Sequence, residues 1–265
     1  MKKLSLIGPS FRKIILENYL YADKTKYIHE MIENYDSCFL SRPRRFGKTL
    51  LLDTIGELFK GDRELSKGLW IDSKSGYSFK KHPVLRLSMG KYTEISSKED
   101  LVKGIMFDLS QSAKEEGLKI SAPNTGQMLE QLLKGISGKH GVGAVVLIDE
   151  YDAPVTRHIA DQTLASDNRD VLHDFYAALK ENYEHVRFSM VTGITRFALT
   201  SMDSGSNNFV DISLSPEFSG ICGFTTPEFL KLFRDRFEET LKKLKYAGRI
   251  GQKAGLKDLK RKILE

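Results

Sequence analysis

Residues 39–52, FLSRPRRFGKTLLL, decide the fold of this chain. A short apolar run leads into a basic loop, which ends in Gly47-Lys48-Thr49 before a second apolar segment with helical spacing. Strand, loop and helix in this order are typical of the phosphate-binding pattern G-x-x-x-x-G-K-[ST]. Arg42 stands where the first glycine of that pattern belongs. A basic turn that only caps the helix is the alternative interpretation.

The residues at the end of this loop have the chemistry that binding of a nucleoside triphosphate requires. Gly47 lets the backbone approach phosphate oxygens, Lys48 can reach the β- and γ-phosphates, and Thr49 offers a hydroxyl to Mg²⁺. Backbone amides at the start of the following helix point at a bound anion. We therefore predict ATP and Mg²⁺ as cofactors and Lys48 as a catalytic residue. The predicted nucleotide contacts are Arg44, Arg45, Phe46, Gly47, Lys48, Thr49 and Leu50.

Two acids follow the most strand-like run of the chain. Residues 143–150 read GAVVLIDE, so that Asp149 and Glu150 end an apolar strand. Desolvating paired carboxylates is costly unless a cation lies near. In P-loop ATPases such an Asp supports Mg²⁺ and such a Glu polarises the attacking water. We predict Asp149 and Thr49 as metal ligands and Glu150 as catalytic; acids that merely cap the next segment are the alternative.

A third polar group follows another apolar run, in residues 189–197, SMVTGITRF. Thr192 at the end of the predicted strand could sense the γ-phosphate, and Arg196 could stabilise charge on the transferred phosphoryl group as a catalytic residue. The alternative is a surface loop with one arginine. Three tyrosines earlier in the chain could frame an adenine or could simply pack: Tyr19, Tyr21 and Tyr27.

Strands alternate with helices along the chain. We predict strands over residues 37–41, 82–89, 143–150, 186–193 and 208–214. Predicted helices cover residues 21–33, with Asp23 or Thr25 as a cap, 48–61, 98–117, 125–135 and 168–183. Strands that are apolar almost throughout indicate an α/β fold with a parallel sheet covered on both faces. Functional loops then lie at the carboxyl ends of the strands.

Composition also limits which class of protein this chain can be. The chain contains no run of 18 apolar residues, so we predict no membrane span. The N-terminus lacks the apolar core of a signal peptide, and we therefore expect a cytoplasmic protein. Cys38 and Cys222 are predicted to be buried thiols. Residues 229–265 contain twelve Lys/Arg against five Asp/Glu, a charge of +7. Because the net charge of the whole sequence is +6, residues 1–228 sum to −1. The basic character therefore belongs to the C-terminal tail.

The motifs together resemble a known family. The segments YLYADKTKYIHEMI, FLSRPRRFGKTLLLDTI, LIDEYDAPV, VTGITRF and NNFVDISLSPEFSGICGFT are similar to those of the bacterial AAA-ATPase-like proteins. The resemblance covers about residues 8 to 235. It implies a P-loop NTPase fold, a three-layer sandwich with a mostly parallel five-stranded sheet in the order 5-1-4-3-2, followed here by a short helical C-terminal extension.

Residue roles also follow from the resemblance. It implies the phosphate-loop function for Gly47, Lys48 and Thr49, the acidic-strand function for Asp149 and Glu150, and a γ-phosphate contact for Arg196. In this family a PD-(D/E)XK nuclease-like domain often follows the P-loop domain. The tail contains no acid-acid-lysine set, so we expect no nuclease activity from this chain.

The sequence leaves three functional hypotheses. The first is Mg²⁺-dependent ATP binding and hydrolysis in residues 1–228, coupled to conformation or to a partner such as another copy or a nuclease-like domain. The second is a nucleotide-binding regulatory or scaffold module with little turnover. The third is nucleic-acid association through residues 229–265, a basic helical tail that serves otherwise as a lid or as the start of a downstream region.

Overall fold

Five parallel strands form one sheet in the described part of the chain. They are β1 (Ser37–Ser41), β2 (Val84–Ser88), β3 (Ala144–Asp149), β4 (Val186–Gly193) and β5 (Val210–Asp211). Their order in the sheet is β2-β3-β4-β1-β5, and all four pairings are parallel. This order is 5-1-4-3-2 counted from the other edge, so the predicted α/β class and strand order are confirmed. The computed structural model describes residues 2–4, 8, 10–195, 209–246, 255 and 261.

Ten α-helices lie in the described part of the chain. They are α1 (Phe11–Leu16), α2 (Thr25–Asn34), α3 (Lys48–Phe59), α4 (Trp70–Lys74), α5 (Lys98–Glu115), α6 (Thr125–His140), α7 (Ala153–Thr156), α8 (Gln162–Glu181), α9 (Thr226–Leu232) and α10 (Arg234–Tyr246). Short 3-10 helices cover Arg63–Ser66, Met89–Lys91, Tyr183–His185 and Pro216–Phe218.

Side chains of β3 alternate between two hydrophobic clusters. Val146 and Ile148 pack with residues of α5, α6 and α8. Val145 and Leu147 pack with residues of α2 and α3. All six residues of β3 are buried and the first five are apolar, so both faces of the sheet are covered at this strand. Each such side chain contributes about 1.5–3 kcal/mol through burial. This buried strand, which lies between β2 and β4, carries Asp149 at its carboxyl end.

Four predictions about element boundaries are wrong. The first predicted helix is α2, which begins at Thr25 and not at residue 21, and its N-cap is Lys24 with no side-chain cap bond. The Thr25 hydroxyl instead accepts the amide of Ile71 at 3.1 Å. Helix α6 continues beyond residue 135 to His140, and α8 begins at Gln162 rather than at 168. In the described part of residues 208–214, only Val210–Asp211 is a strand.

The chain divides into two compact units. Residues 24–222 contain the whole sheet, whereas residues 1–23 and 223–265 form the other unit. In the second unit the rings of Phe229 and Phe233 lie 4.8 Å apart, and Phe237 packs beside them. Helix α10 shows that Arg234–Tyr246 of the tail is helical, and the boundary at residue 229 stays a prediction. No helix in the described ranges is long and apolar enough to cross a membrane.

Candidate functional site

The loop between β1 and α3 depends on Gly47. Its φ of +94° lies in the left-handed region, which glycine adopts without a steric penalty. Gly47 is also the N-cap of α3, and no side chain caps this helix end. The first amides of a helix have no intrahelical partner, so here they are available to an anion. The predicted arrangement of strand, loop and helix is therefore present.

Lys48 turns back across this loop. Its ammonium donates to the carbonyl oxygens of Arg42 at 2.8 Å and Pro43 at 3.1 Å. Only 7% of the residue is exposed. In the described part of the chain its recorded partners are neutral carbonyls and no carboxylate neutralises it. The loop thus holds a buried cation among its own backbone carbonyls, where a phosphate oxygen would be a stronger acceptor.

Arg42, which replaces the first glycine of the pattern, fixes the beginning of the loop. Its guanidinium donates to the carbonyl oxygens of Ser41 at 3.0 Å and Ser213 at 2.5 Å. The amide of Ser41 donates to the hydroxyl of Ser213 at 2.8 Å. The side chain is thus directed at the segment after β5. Sequence reasoning could not identify this partner, because 171 residues separate it from Arg42.

Positive charges of this loop lie close enough to Cys222 to influence the pKa of its thiol. Burial raises the pKa of its thiol to about 11, and the nearby cations of Arg42 and Lys48 oppose that rise. Cys38 in β1 is buried as well, and burial with the negative charge of Asp36 raises its pKa to about 12. Both cysteines are free and buried, which confirms the sequence prediction.

Asp149 joins two threonines at the carboxyl ends of the strands. Its Oδ2 accepts the hydroxyl of Thr49 at 2.6 Å, and its Oδ1 accepts the hydroxyl of Thr192 at 2.7 Å. Asp149 is only 4% exposed, while Thr49 is exposed at the start of α3. The two residues predicted as metal ligands therefore lie in direct contact.

A magnesium ion fits this donor set. In the described residues no group of three or more His, Cys, Asp or Glu side chains could hold a metal by itself. Mg²⁺ usually takes one or two carboxylates together with substrate phosphates and water, so it does not need such a cage. The Asp149 carboxylate and the Thr49 hydroxyl supply the oxygen ligands expected from the protein.

Glu150 adopts an unusual backbone conformation directly after β3. Its φ is +52°, in the left-handed region that non-glycine residues rarely occupy. Its amide donates to Oδ1 of Asp149 at 3.0 Å. A Cβ placed on Gly90 would lie 1.8 Å from Oε2 of Glu150, so the carboxyl group lies directly over that glycine. Gly90 follows β2 and was not identified from the sequence.

Arg86 is a further residue that the sequence pattern missed. It lies in β2, and its guanidinium donates to the carboxylate of Asp53 and, at 3.2 Å, to the carbonyl oxygen of Thr49. This contact fixes the first turn of α3 to the strand beside β3. An arginine on a predicted strand gave no signal of this role, because its partners lie on a different element.

The remaining predicted residues are Arg196 and three tyrosines. Arg196 lies outside the described residues, so its assignment stays a prediction. Tyr21 packs edge-on against Phe11 with ring centroids 5.4 Å apart, and Tyr27 packs against the hydrophobic cluster that contains α2 and α3. Both contacts agree with packing roles. Contact of any of the three tyrosines with adenine stays a prediction.

A cavity of about 370 Å³ lies away from these residues. Its lining includes Phe59 at the end of α3, His82 before β2 and Arg187 at the start of β4. These positions belong to the amino ends of the strands, whereas Thr49, Asp149 and Thr192 lie at the carboxyl ends. The cavity is therefore separate from the candidate nucleotide site.

Comparison with known proteins identifies the family. The model of the family described as "Predicted AAA-ATPase" matches residues 7–203, which include the loop, the acid pair and Thr192. The chain belongs to this family. Its membership agrees with the resemblance seen in the sequence and supports nucleotide binding by the AAA-ATPase-like chain.

A curated relative of this AAA-ATPase-like chain is itself uncharacterised. It is the "Uncharacterized protein in vnfD 5'region" of Azotobacter chroococcum mcd 1, 36% identical over 233 residues. The alignment covers 88% of this chain and 45% of the relative, so the chain spans less than half of that protein's length. No solved structure matches the chain significantly.

Proposed function

We propose that this chain is a P-loop ATPase that binds and hydrolyses ATP with Mg²⁺. The observation that carries the proposal is the hydrogen bond between Thr49 and Asp149, which brings the phosphate loop and the acidic strand end together. Family membership and the parallel sheet with these residues at its carboxyl ends support the same conclusion. Either motif alone would be compatible with a structural role.

Different groups of the site bind the phosphates and the metal ion. The amides at the start of α3 and the ammonium of Lys48 bind the phosphates, with Lys48 exchanging the carbonyls of Arg42 and Pro43 for phosphate oxygens. Thr49 and Asp149 would hold Mg²⁺, which when bound offsets negative charge on the phosphate oxygens. Arg44 and Arg45 are exposed in the same loop and add positive charge there.

Hydrolysis is assigned to Glu150 and its neighbours. Glu150 orients a water molecule and accepts a proton from it, while Thr192 on β4 contacts both Asp149 and, in the proposed complex, the γ-phosphate side of the site. Arg196 is proposed to stabilise charge on the transferred group. Because Thr192 belongs to the strand between β1 and β3, we also propose that nucleotide state is coupled to conformation through β4.

Three variants test the proposal against wild type. Mg²⁺-dependent phosphate release and equilibrium binding of a fluorescent ATP analogue are measured for Lys48→Ala, Glu150→Gln and Lys60→Ala. Lys60 is an exposed lysine at the other end of α3 that pairs with Glu57, so its variant is the matched control. We expect Lys48→Ala to bind about 10- to 100-fold more weakly. Glu150→Gln should bind normally and hydrolyse about 100-fold more slowly.

The outcomes separate the candidate functions. Equal phosphate release by wild type, Lys48→Ala and Glu150→Gln would show that the proposed site is wrong. If wild type binds the analogue, Lys48→Ala does not, and neither releases phosphate, the chain is a nucleotide-binding module without turnover.

A further inference from the structure

The turn that follows β3 is held by both neighbouring strands. On one side the Glu150 carboxyl group lies over Gly90, which follows β2. On the other side the ring of Tyr151 lies against Gly193 at the end of β4, where a Cβ would be 2.4 Å from two ring carbons. The Tyr151 hydroxyl also donates to the carbonyl oxygen of Thr195 at 2.9 Å. Two glycines thus make room for one acidic turn.

Asp152 makes the most extensive polar contacts of this turn. It is 1% exposed, and its Oδ2 accepts the Thr195 amide at 2.9 Å, the Thr195 hydroxyl at 2.9 Å and the Ile194 amide at 3.1 Å. Its recorded partners in the described chain are these donors, and no cation pairs with it there. A buried carboxylate is stable only when such donors satisfy it. Asp152 therefore fixes the turn to the backbone that continues from β4.

Backbone hydrogen bonds hold the residues directly after Glu150. The Tyr151 amide donates to the Thr192 carbonyl at 3.0 Å, and the Ala153 amide donates to the carbonyl of Glu150 itself at 2.9 Å. A glutamate with φ of +52° is strained, and strained residues persist only where the surrounding contacts determine their conformation. Tyr151 and Asp152, directly after Glu150, supply those contacts.

We propose that Asp152 is a positioning residue that holds Glu150 in its left-handed conformation and so fixes the orientation of its carboxylate. The proposal rests on the proposed function in one respect, namely that Glu150 orients the attacking water. Asp152 itself touches neither nucleotide nor water in this scheme. Its loss is therefore expected to lower turnover and to leave ATP binding intact.

The first test separates kcat from binding. Steady-state phosphate release and ATP-analogue binding are compared for wild type, Asp152→Ala, Asp152→Asn and Asp161→Ala. Asp161 is the control, because its carboxylate also accepts a backbone amide, that of Leu164, at the start of α8. We expect kcat to fall 10- to 100-fold in Asp152→Ala, with analogue Kd within twofold of wild type. Asp152→Asn should lie between, since its amide oxygen still accepts hydrogen bonds.

The second test does not need turnover. Hydrogen exchange is followed at the Tyr151 and Ala153 amides, which close the turn around Glu150. We expect exchange at both to be at least tenfold faster in Asp152→Asn and unchanged in Asp161→Ala. If Asp152→Ala fails to fold, Asp152→Asn decides both tests.

The two proposals fail in different ways. Wild type that binds the analogue without releasing phosphate would overturn the hydrolysis assignment, and exchange would then decide whether Asp152 holds the turn. Unchanged exchange in Asp152→Asn overturns the positioning role. The positioning role is also overturned if an Asp152 variant shows accelerated exchange but a normal kcat. It is overturned as well if the Kd for the analogue rises by the same factor by which kcat falls.

Discussion

The hydroxyl of Thr49 lies 2.6 Å from the carboxylate of Asp149, although 100 residues separate the two in sequence. Asp149 ends β3, whereas Thr49 lies on α3, which follows β1 along the chain. Strand β4 lies between β3 and β1 in the sheet, and its Thr192 binds the other oxygen of the same carboxylate. Two strand ends and the start of one helix therefore meet at one buried acid. A site of this kind depends on the register of β1, β4 and β3 as much as on its own side chains.

Removing the Thr49 hydroxyl should weaken the response to Mg²⁺. Thr49→Val keeps the shape of the side chain but loses the oxygen that would bind the ion, whereas Thr49→Ser keeps that oxygen. We expect the Mg²⁺ concentration that gives half-maximal phosphate release to rise at least tenfold in Thr49→Val and to change little in Thr49→Ser. A magnesium titration measures it, and equal values for the two variants would contradict the metal assignment.

Arg42 should stabilise the fold through its hydrogen bond to the carbonyl oxygen of Ser213. Arg42→Ala leaves the carbonyl oxygen of Ser213 without its charged donor, and hydrogen bonds of charged groups contribute about 1.5–3 kcal/mol. We expect the free energy of unfolding in urea to fall by about 2 kcal/mol. Arg44→Ala removes an exposed arginine of the same loop and should change that free energy by less than about 0.5 kcal/mol. Similar losses in the two variants would refute the anchoring role.

Gly193 should not tolerate a methyl group. Its Cβ would lie 2.4 Å from the Tyr151 ring and 2.9 Å from Oδ1 of Asp152. Overpacking of this kind costs about 1–3 kcal/mol, so Gly193→Ala should lower the free energy of unfolding by that amount. Gly138 in α6 has open space around it, and Gly138→Ala should raise stability by about 0.5–1 kcal/mol. Urea unfolding of both variants checks the contrast in sign.

The stability of the chain should fall in alkali partly because of Cys38. Its folded-state pKa of about 12 exceeds the unfolded value of about 8.5, so its stabilising contribution is complete below that lower value and is lost as pH rises towards 12. By pH 10 the whole loss is about 2 kcal/mol. Cys38→Ala should be less stable at pH 7 but should lose about 2 kcal/mol less than wild type by pH 10. Equal slopes under reducing conditions would exclude the thiol.

Much of the sheet could be predicted from local patterns. Apolar runs bounded by polar loops predicted 37–41 and 186–193, and the structure has Ser37–Ser41 and Val186–Gly193. The predicted helix end at Gly135 failed for a tertiary reason. A Cβ there would meet Leu118 at 2.9 Å, so this glycine makes room for a neighbour and does not end the helix. Gly141, with φ of +65°, ends it.

The sequence predicted those site residues that belong to a local motif at the end of a predicted strand. It did not predict contacts with segments that lie far away along the chain. The motifs indicated Thr49 and Asp149, and the structure places them in contact. The partner of Arg42, the place of Gly90 under Glu150 and the donors to Asp152 all come from segments far along the chain. A single sequence contains no local signal for such pairs.

The burial of Lys48 links the folding of the loop to its affinity. Its ammonium has already exchanged water for two backbone carbonyls before any ligand arrives, so its dehydration belongs to the folding reaction rather than to ATP association. A substitution that loosens residues 42–47 would restore hydration to that cation. Such a change should weaken nucleotide binding even where it touches no ligand atom, and chemical denaturation and ligand affinity should then vary together across loop variants.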